Sequence, residues 1–331
     1  MRLLKIFAAL IIVLFFVYLF GSHPATPIYS SILPSVPSDP IALINYVQQE
    51  ESKHLVKKDN EAEIVWADSS TKHKTAYSIV YLHGFSASKM EGAPTHIEIA
   101  KKFGCNLYLA RLSQHGIDTT DALINMTPDN LWETAKQAYA IGKQLGEKVI
   151  LMGTSTGGTL ALQLAATYPD VAGLILYSPN IAINDPNAWL INNPWGLQIA
   201  RLVKGSNYNI IKADSLYSKY WNTKYRLEAV ASVEELLETK MNASTFQSIK
   251  QPVLTLYYYK DEQHQDPVVK VSATKKMFEQ LATSKELKRA IAMPNTGNHV
   301  IGSPILSKDV TGVQLETISF MQEIMHMNAI K

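Results

Sequence analysis

The chain has 331 residues, 47% of them hydrophobic, and 31 basic against 29 acidic side chains give a net charge of +2. That length and apolar content suit one large α/β domain with an insertion, or two domains, and exclude a disordered or fibrous chain. The balanced charge, with lysines scattered along the chain, leaves no basic footprint for nucleic acid, and the single cysteine, Cys105, excludes an intrachain disulfide or a cysteine-based metal site.

Ile6 to Phe20 is uninterrupted apolar sequence behind Arg2 and Lys5, which suits a signal-peptide core or a short membrane anchor. Fifteen helical residues span only about 22 Å of a roughly 30 Å hydrocarbon core, but Leu3, Leu4 and a snorkelling Lys5 nearly close the gap. The pairs that signal cleavage would need to be small are Phe20 with Ser22 and His23 with Ala25. Residues 1–22 are therefore expected to form an uncleaved membrane anchor, with cleavage and secretion as the alternative. No lysine or arginine occurs between Lys5 and Lys53, so the positive-inside rule sends the body of the chain across the membrane, and both readings give an extracytoplasmic domain.

The stretch "GSHPATPIYSSILPSVPSDP" carries five prolines in twenty residues. Residues 23–40 thus read as an extended spacer that would lift the globular part, residues 41–331, off the membrane. "IALINYVQQEESKHL" follows with helical spacing, and Asp39 is placed to cap it. From "AEIVWAD" onward, short apolar runs alternate with helical segments: "YSIVYLHGF", "CNLYLARL", "KVILMGT", "AGLILYSP", "PVLTLYYY" and "KRAIAMP". Apolar runs without alternation are what strands buried on both faces look like, so the fold class is α/β, a doubly wound, mostly parallel sheet. Between "LILYSPN" and "QPVLTL" about seventy residues show no strand signal but many aromatics. This insertion, about 180–250, reads as a helical cap over the sheet's ligand crevice.

Within "KVILMGTSTGGTLALQLA" lies Gly153-Thr154-Ser155-Thr156-Gly157, a G-x-S-x-G at the end of a β run and the start of a helical one. A strained strand-to-helix turn there would present the Ser155 hydroxyl at the top of the sheet. A serine needs a base to take its proton, and a tetrahedral oxyanion needs N–H donors. The loop "YLHGFSAS" offers the Phe85 N–H to join that of Thr156. Of nine histidines, His299 in "AMPNTGNHVIGSP" lies in a polar loop after the last β run. A carboxylate after the penultimate run would hold its imidazole, and the chain order Ser, acid, His belongs to this class of turn. "YYYKDEQHQDPVV" supplies two aspartates, Asp261 and Asp266. Asp261, His264 and Asp266 could also ligate a metal by residue type, but the chemistry assembled has no task for one.

The "HGF" loop, "GTSTGG" elbow and "GNH" terminal loop resemble those of α/β-hydrolases of the serine carboxylesterase and monoacylglycerol lipase type, over about Ile64 to Ile324. Arg111 to Gly116 matches a motif such proteins commonly carry, R-x-x-G-H-G, except that Gln114 replaces glycine. The resemblance implies acyl transfer without a cofactor: Ser155 attacks an ester carbonyl, His299 relays the proton, and water releases the acyl enzyme. "DPVV" resembles the family's D-x-V-V and favours Asp266 as the acid, while Asp261 follows the strand at the more usual distance. The expected substrate is an ester of a hydrophobic acyl group, which an aromatic cap would line. One alternative is a serine aminopeptidase-like enzyme, for which Glu234, Glu235 and Glu238 could bind a free amine. Another is a catalytically silent, membrane-tethered binding protein.

Overall fold

The structure, a computed structural model, describes residues 2–330; Met1 and Lys331, the ends of the expected anchor and globular segments, lie outside the described residues. Strands and helices alternate through the body of the chain. The strands are β1 (Glu63–Val65), β2 (Thr75–Leu82), β3 (Asn106–Leu109), β4 (Gly146–Thr154), β5 (Val171–Tyr177), β6 (Tyr208–Ile210), β7 (Lys224–Arg226), β8 (Val253–Tyr257) and β9 (Lys288–Ala292). The helices preceding the cap are α1 (Arg2–Leu19), α2 (Pro40–Ser52), α3 (Thr95–Lys102), α4 (Pro128–Leu145) and α5 (Thr156–Thr167). Those of the cap and the C-terminal part are α6 (Gly196–Lys204), α7 (Ser215–Tyr220), α8 (Leu227–Lys240), α9 (Ala243–Gln247), α10 (Val271–Gln280) and α11 (Val310–Glu323).

Seven strands form one sheet in the order β1-β3-β2-β4-β5-β8-β9. Every pairing in it is parallel except β1 with β3. The order reverses at β2 and β4, because the chain first builds outward to β3 and then returns to the other side. Residues following the carboxyl ends of the central strands therefore converge there. Alternate side chains of one strand enter different cores: Val80 and Leu82 pack in one apolar cluster, Ile79 and Tyr81 in the other. Strand β4 divides in the same way, Val149 and Leu151 against Ile150 and Met152. Both faces are covered by helices, which is why these runs are apolar throughout instead of alternating.

Asp39 caps α2 as expected, its carboxylate accepting the Ala42 N–H at 2.8 Å. The cap is not purely helical. β6 and β7 pair antiparallel in it, Asn209 opposite Tyr225, and at three residues each they are too short to leave a β pattern in the sequence.

Two expectations about the N-terminal region are corrected. Among the described residues no helix is long and apolar enough to cross a membrane, so the expected transmembrane anchor is not supported. Helix α1, at 18 residues, rises about 27 Å, less than a hydrocarbon core of roughly 30 Å. The proline-rich stretch is a strap and does not hold the domain away. Its carbonyls at Ser30, Ser31 and Ile32 accept bonds from Trp132 Nε1, the Tyr168 hydroxyl and Lys136 Nζ. Tyr29 reaches the cap, its hydroxyl 2.8 Å from Thr239 Oγ1. Proline dictates an extended backbone without ladder bonds, and the folded domain's donors satisfy the carbonyls left over.

Candidate active site

Ser155 occupies the junction between β4 and α5 with φ 53° and ψ −120°, a conformation that costs about 1–3 kcal/mol for a non-glycine residue. The surrounding backbone holds it there: its N–H donates to Tyr177 O at 3.0 Å, and its carbonyl accepts from Asn180 and Thr159. Glycine is obligatory at 157, where a Cβ would collide with the Leu82 carbonyl, and at 153, where it would strike the Gly157 backbone. The turn thus lifts a buried serine, 5% exposed, into a cavity at the carboxyl edge of the sheet.

Thr156 opens α5, where no preceding turn offers its N–H a carbonyl. Phe85 lines the same cavity from the loop after β2 and packs edge-on against Tyr225 of the cap at 4.9 Å. His83 within that loop is structural. Its Nε2 accepts the Leu112 N–H at 3.0 Å and its Nδ1–H donates to Gly84 O at 2.9 Å. Burial, then the neighbouring His115, holds its pKa well below the ordinary value. His115 and His96, both fully buried, are pulled down to about 4 by burial.

His299 stands apart from these. It lines the cavity with Ser155, and its Nδ1–H donates to Asp266 Oδ2 at 2.6 Å. Burial lowers the imidazole's pKa, but the charge and hydrogen bond of Asp266, with a further contribution from Glu91, outweigh it and leave the pKa above 6.5. Asp266 is 1% exposed, and its other oxygen accepts the N–H groups of Val268 and Val269 at 2.8 and 3.0 Å. Those two bonds fix the carboxylate, so the plane of the imidazole is fixed in turn. Asp261, by contrast, sits on the surface, where its carboxylate accepts from His264 and Gln263. A bridge between Tyr259 and Gln265 pinches residues 260–264 off as a turn.

The cavity has a volume of about 570 Å³, within the 300–1,000 Å³ usual for small-molecule sites. Its lining is mostly apolar, with Ile183, Ile211, Tyr217, Val230, Val233 and Leu306 prominent. Helix α8 presents Val230 and Val233 to it. Of the three carboxylates weighed as an amine subsite, Glu235 and Glu238 are engaged with the cap, both accepting from Asn192 Nδ2 at 2.9 Å. Burial, then repulsion from Glu238 and Asp185, pushes Glu234 up to about 7.

A family model described as serine aminopeptidase, S33, matches residues 129–293. The thermostable monoacylglycerol lipase of Bacillus sp. (strain H-257) is 31% identical over 98 residues, covering 29% of this chain and 38% of that one. The chain thus aligns over well under half the length of this curated relative. Among solved structures, one reported for LipS and LipT, two metagenome-derived lipolytic enzymes, superposes with a TM-score of 0.61 at 15% identity, over 81% of this chain and 99% of that chain. Monoacylglycerol lipase from Paleococcus ferrophilus gives 0.58 at 16% identity, over 78% and 97%. The chain has the α/β-hydrolase fold. Ser155 lies on a strand–turn–helix elbow of the kind that fold's G-x-S-x-G motif describes, and Asp266 and His299 follow β8 and β9 in chain order.

One residue of the site escaped the sequence motifs. Glu91, in "SKMEGAPT", is 2% exposed and lines the cavity from a 3₁₀ turn, Lys89–Gly92. A lone glutamate between methionine and glycine reads as surface, because its burial is created by the cap residue Trp221 and the loop that bears His299, both far away in sequence.

Proposed function

We propose that the protein is a serine hydrolase of carboxylic esters with hydrophobic acyl groups, working through Ser155, His299 and Asp266 and an acyl-enzyme intermediate. The observation that carries this reading is the buried 2.6 Å bond between His299 and Asp266 in the cavity where strained Ser155 opens. Ser155 Oγ attacks the ester carbonyl as His299 Nε2 takes its proton, and the Phe85 and Thr156 N–H groups receive the oxyanion. His299 then protonates the departing alcohol, and water, deprotonated by the same imidazole, releases the carboxylic acid. Asp266 keeps the imidazole in the tautomer whose Nε2 is free to act as base. The apolar lining of the cavity supports an aliphatic or aromatic acyl group.

The lipase and esterase relatives support the ester class, while the aminopeptidase description of the family model motivates a comparison with amides. Hydrolysis of p-nitrophenyl esters of graded acyl length, measured beside an aminoacyl p-nitroanilide series, tests both. Ester turnover is expected to dominate and to vanish in Ser155→Ala; full ester hydrolysis by that variant refutes the assignment.

For location, we propose that the catalytic domain is extracytoplasmic, supported by the apolar run Ile6 to Phe20 behind Arg2 and Lys5, which suits a signal-peptide core. Protease accessibility in cells with an opened outer boundary checks this, and a domain reached only after cell lysis overturns it.

A further inference from the structure

The cavity is lined by a buried carboxyl group, Glu91, that the Ser155–His299–Asp266 reading does not use. Glu91 accepts the Gly84 N–H with Oε2. A Cβ placed on Gly84 would meet Glu91 Oε1 at 2.8 Å and Ser155 Cβ at 2.9 Å, so carboxyl and nucleophile converge on one face of that glycine. Gly84 immediately precedes Phe85, whose N–H the proposed oxyanion hole uses. We infer that Glu91 is a positioning residue of the catalytic site: it clamps the peptide ahead of the Phe85 oxyanion donor and, when ionised, adds to the negative charge that holds a proton on His299. The inference rests on the ester-hydrolase reading above.

Two physical arguments carry it. The first concerns the loop. Gly84 has no side chain to anchor it, and Glu91 is a buried acceptor that fixes the orientation of its peptide. The next N–H along the chain inherits that orientation, and an oxyanion donor acts only if aimed at where the charge develops. The second concerns charge. Glu91 and His299 line the same cavity, with Tyr81 of β2, Tyr217 of α7 and Trp221 just beyond α7 as the other polar neighbours of Glu91. Burial raises the Glu91 pKa to about 7, against the opposing pull of the Gly84 N–H and of His299. Its charge therefore appears near neutrality and favours the imidazolium, and the two groups titrate as a pair.

Glu91→Gln keeps an oxygen for the Gly84 N–H and removes the charge, whereas Glu91→Met keeps the approximate volume and removes the acceptor. Both are assayed in the full chain, with active sites counted by a fluorophosphonate. For Glu91→Gln the expected result is kcat within a few-fold of wild type, with the acid limb of kcat/KM displaced to lower pH, because the imidazole loses a neighbour that held its proton. For Glu91→Met kcat is expected to fall by about 10²-fold with little change in KM, the loss typical of one oxyanion donor. If labelled Glu91→Met protein turns over at the wild-type kcat, or if the Glu91→Gln pH profile superposes on the wild-type profile, the inference fails and Glu91 is only a structural residue. Ser155→Ala run alongside separates the two levels: an active Ser155→Ala overturns the hydrolase reading itself, whereas an inactive one beside unaltered Glu91 variants overturns only the role of Glu91.

Discussion

Two Asp–His pairs lie within forty residues of one another in this chain, and their contact distances are almost the same. His299 meets Asp266 at 2.6 Å, and His264 meets Asp261 at 2.8 Å. The side chains of the first pair are 9% and 0% exposed, those of the second 59% and 50%. In the first, peptide N–H groups fix the carboxylate and low-dielectric surroundings keep its field on the imidazole. In the second, water and salt screen the pair, and its geometry is that of a tight turn. A distance alone identifies neither as catalytic. Burial, together with a place on the cavity that Ser155 also lines, separates the His299 pair from the other.

The contrast breaks most readily at Asp266. Asp266→Asn should lower kcat by roughly 10³–10⁴-fold, since an amide there favours the wrong imidazole tautomer; single-turnover ester hydrolysis measures it, and retention of a tenth of wild-type activity contradicts the distinction. Next in size is Gly157→Ala. Its Cβ would strike the Leu82 and His83 carbonyls, prising α5 from β2, with a loss of about 1–3 kcal/mol or more by overpacking, read by thermal denaturation together with loss of fluorophosphonate labelling. That variant asks whether the elbow is what brings a nucleophile to the buried pair.

The comparison also sharpens with pH. The proposed mechanism requires neutral His299, whose pKa is raised above the ordinary value by Asp266 against the effect of burial, so kcat/KM should fall on the acid side with a midpoint above that of a free imidazole. The linkage runs in the opposite direction for stability: a raised imidazole pKa stabilises the fold fully below about pH 6.5 and ceases to do so as pH rises through the folded value. Asp261 has its pKa lowered, first by its bond with His264, so whatever it contributes is present above its unfolded pKa and fades in acid. The smallest effect belongs to Asp261→Asn with His264→Ala, which should leave kcat/KM, its pH midpoint and the melting temperature unchanged; a shift in any of the three would tie the surface turn to the site.

Much of this was legible in the amino-acid order. Unbroken apolar runs marked strands covered on both faces, and the glycines at 153 and 157 marked the elbow, because backbone crossing at close range excludes side chains. "DPVV" favoured Asp266 over Asp261 only by its resemblance to a family motif; the turn that offers the Val268 and Val269 N–H groups to its carboxylate is visible in the structure alone. What stayed hidden depends on pairs distant in sequence. The β6–β7 ribbon is too short to show a period. The burial of Glu91 is made by Trp221 and the His299 loop, and the strap's carbonyl partners, Trp132, Lys136 and Tyr168, give no local sign that they await one.

The strap makes the start of the folded body hard to place by composition. Lys136 is 1% exposed, with its ammonium on Ile32 O and Glu133, and Trp132 Nε1 ends on Ser30 O. A chain begun at Ala25 keeps these partners; one begun at Ile41 leaves a buried cation and a buried indole N–H facing a vacated groove, and frees Thr239 from Tyr29.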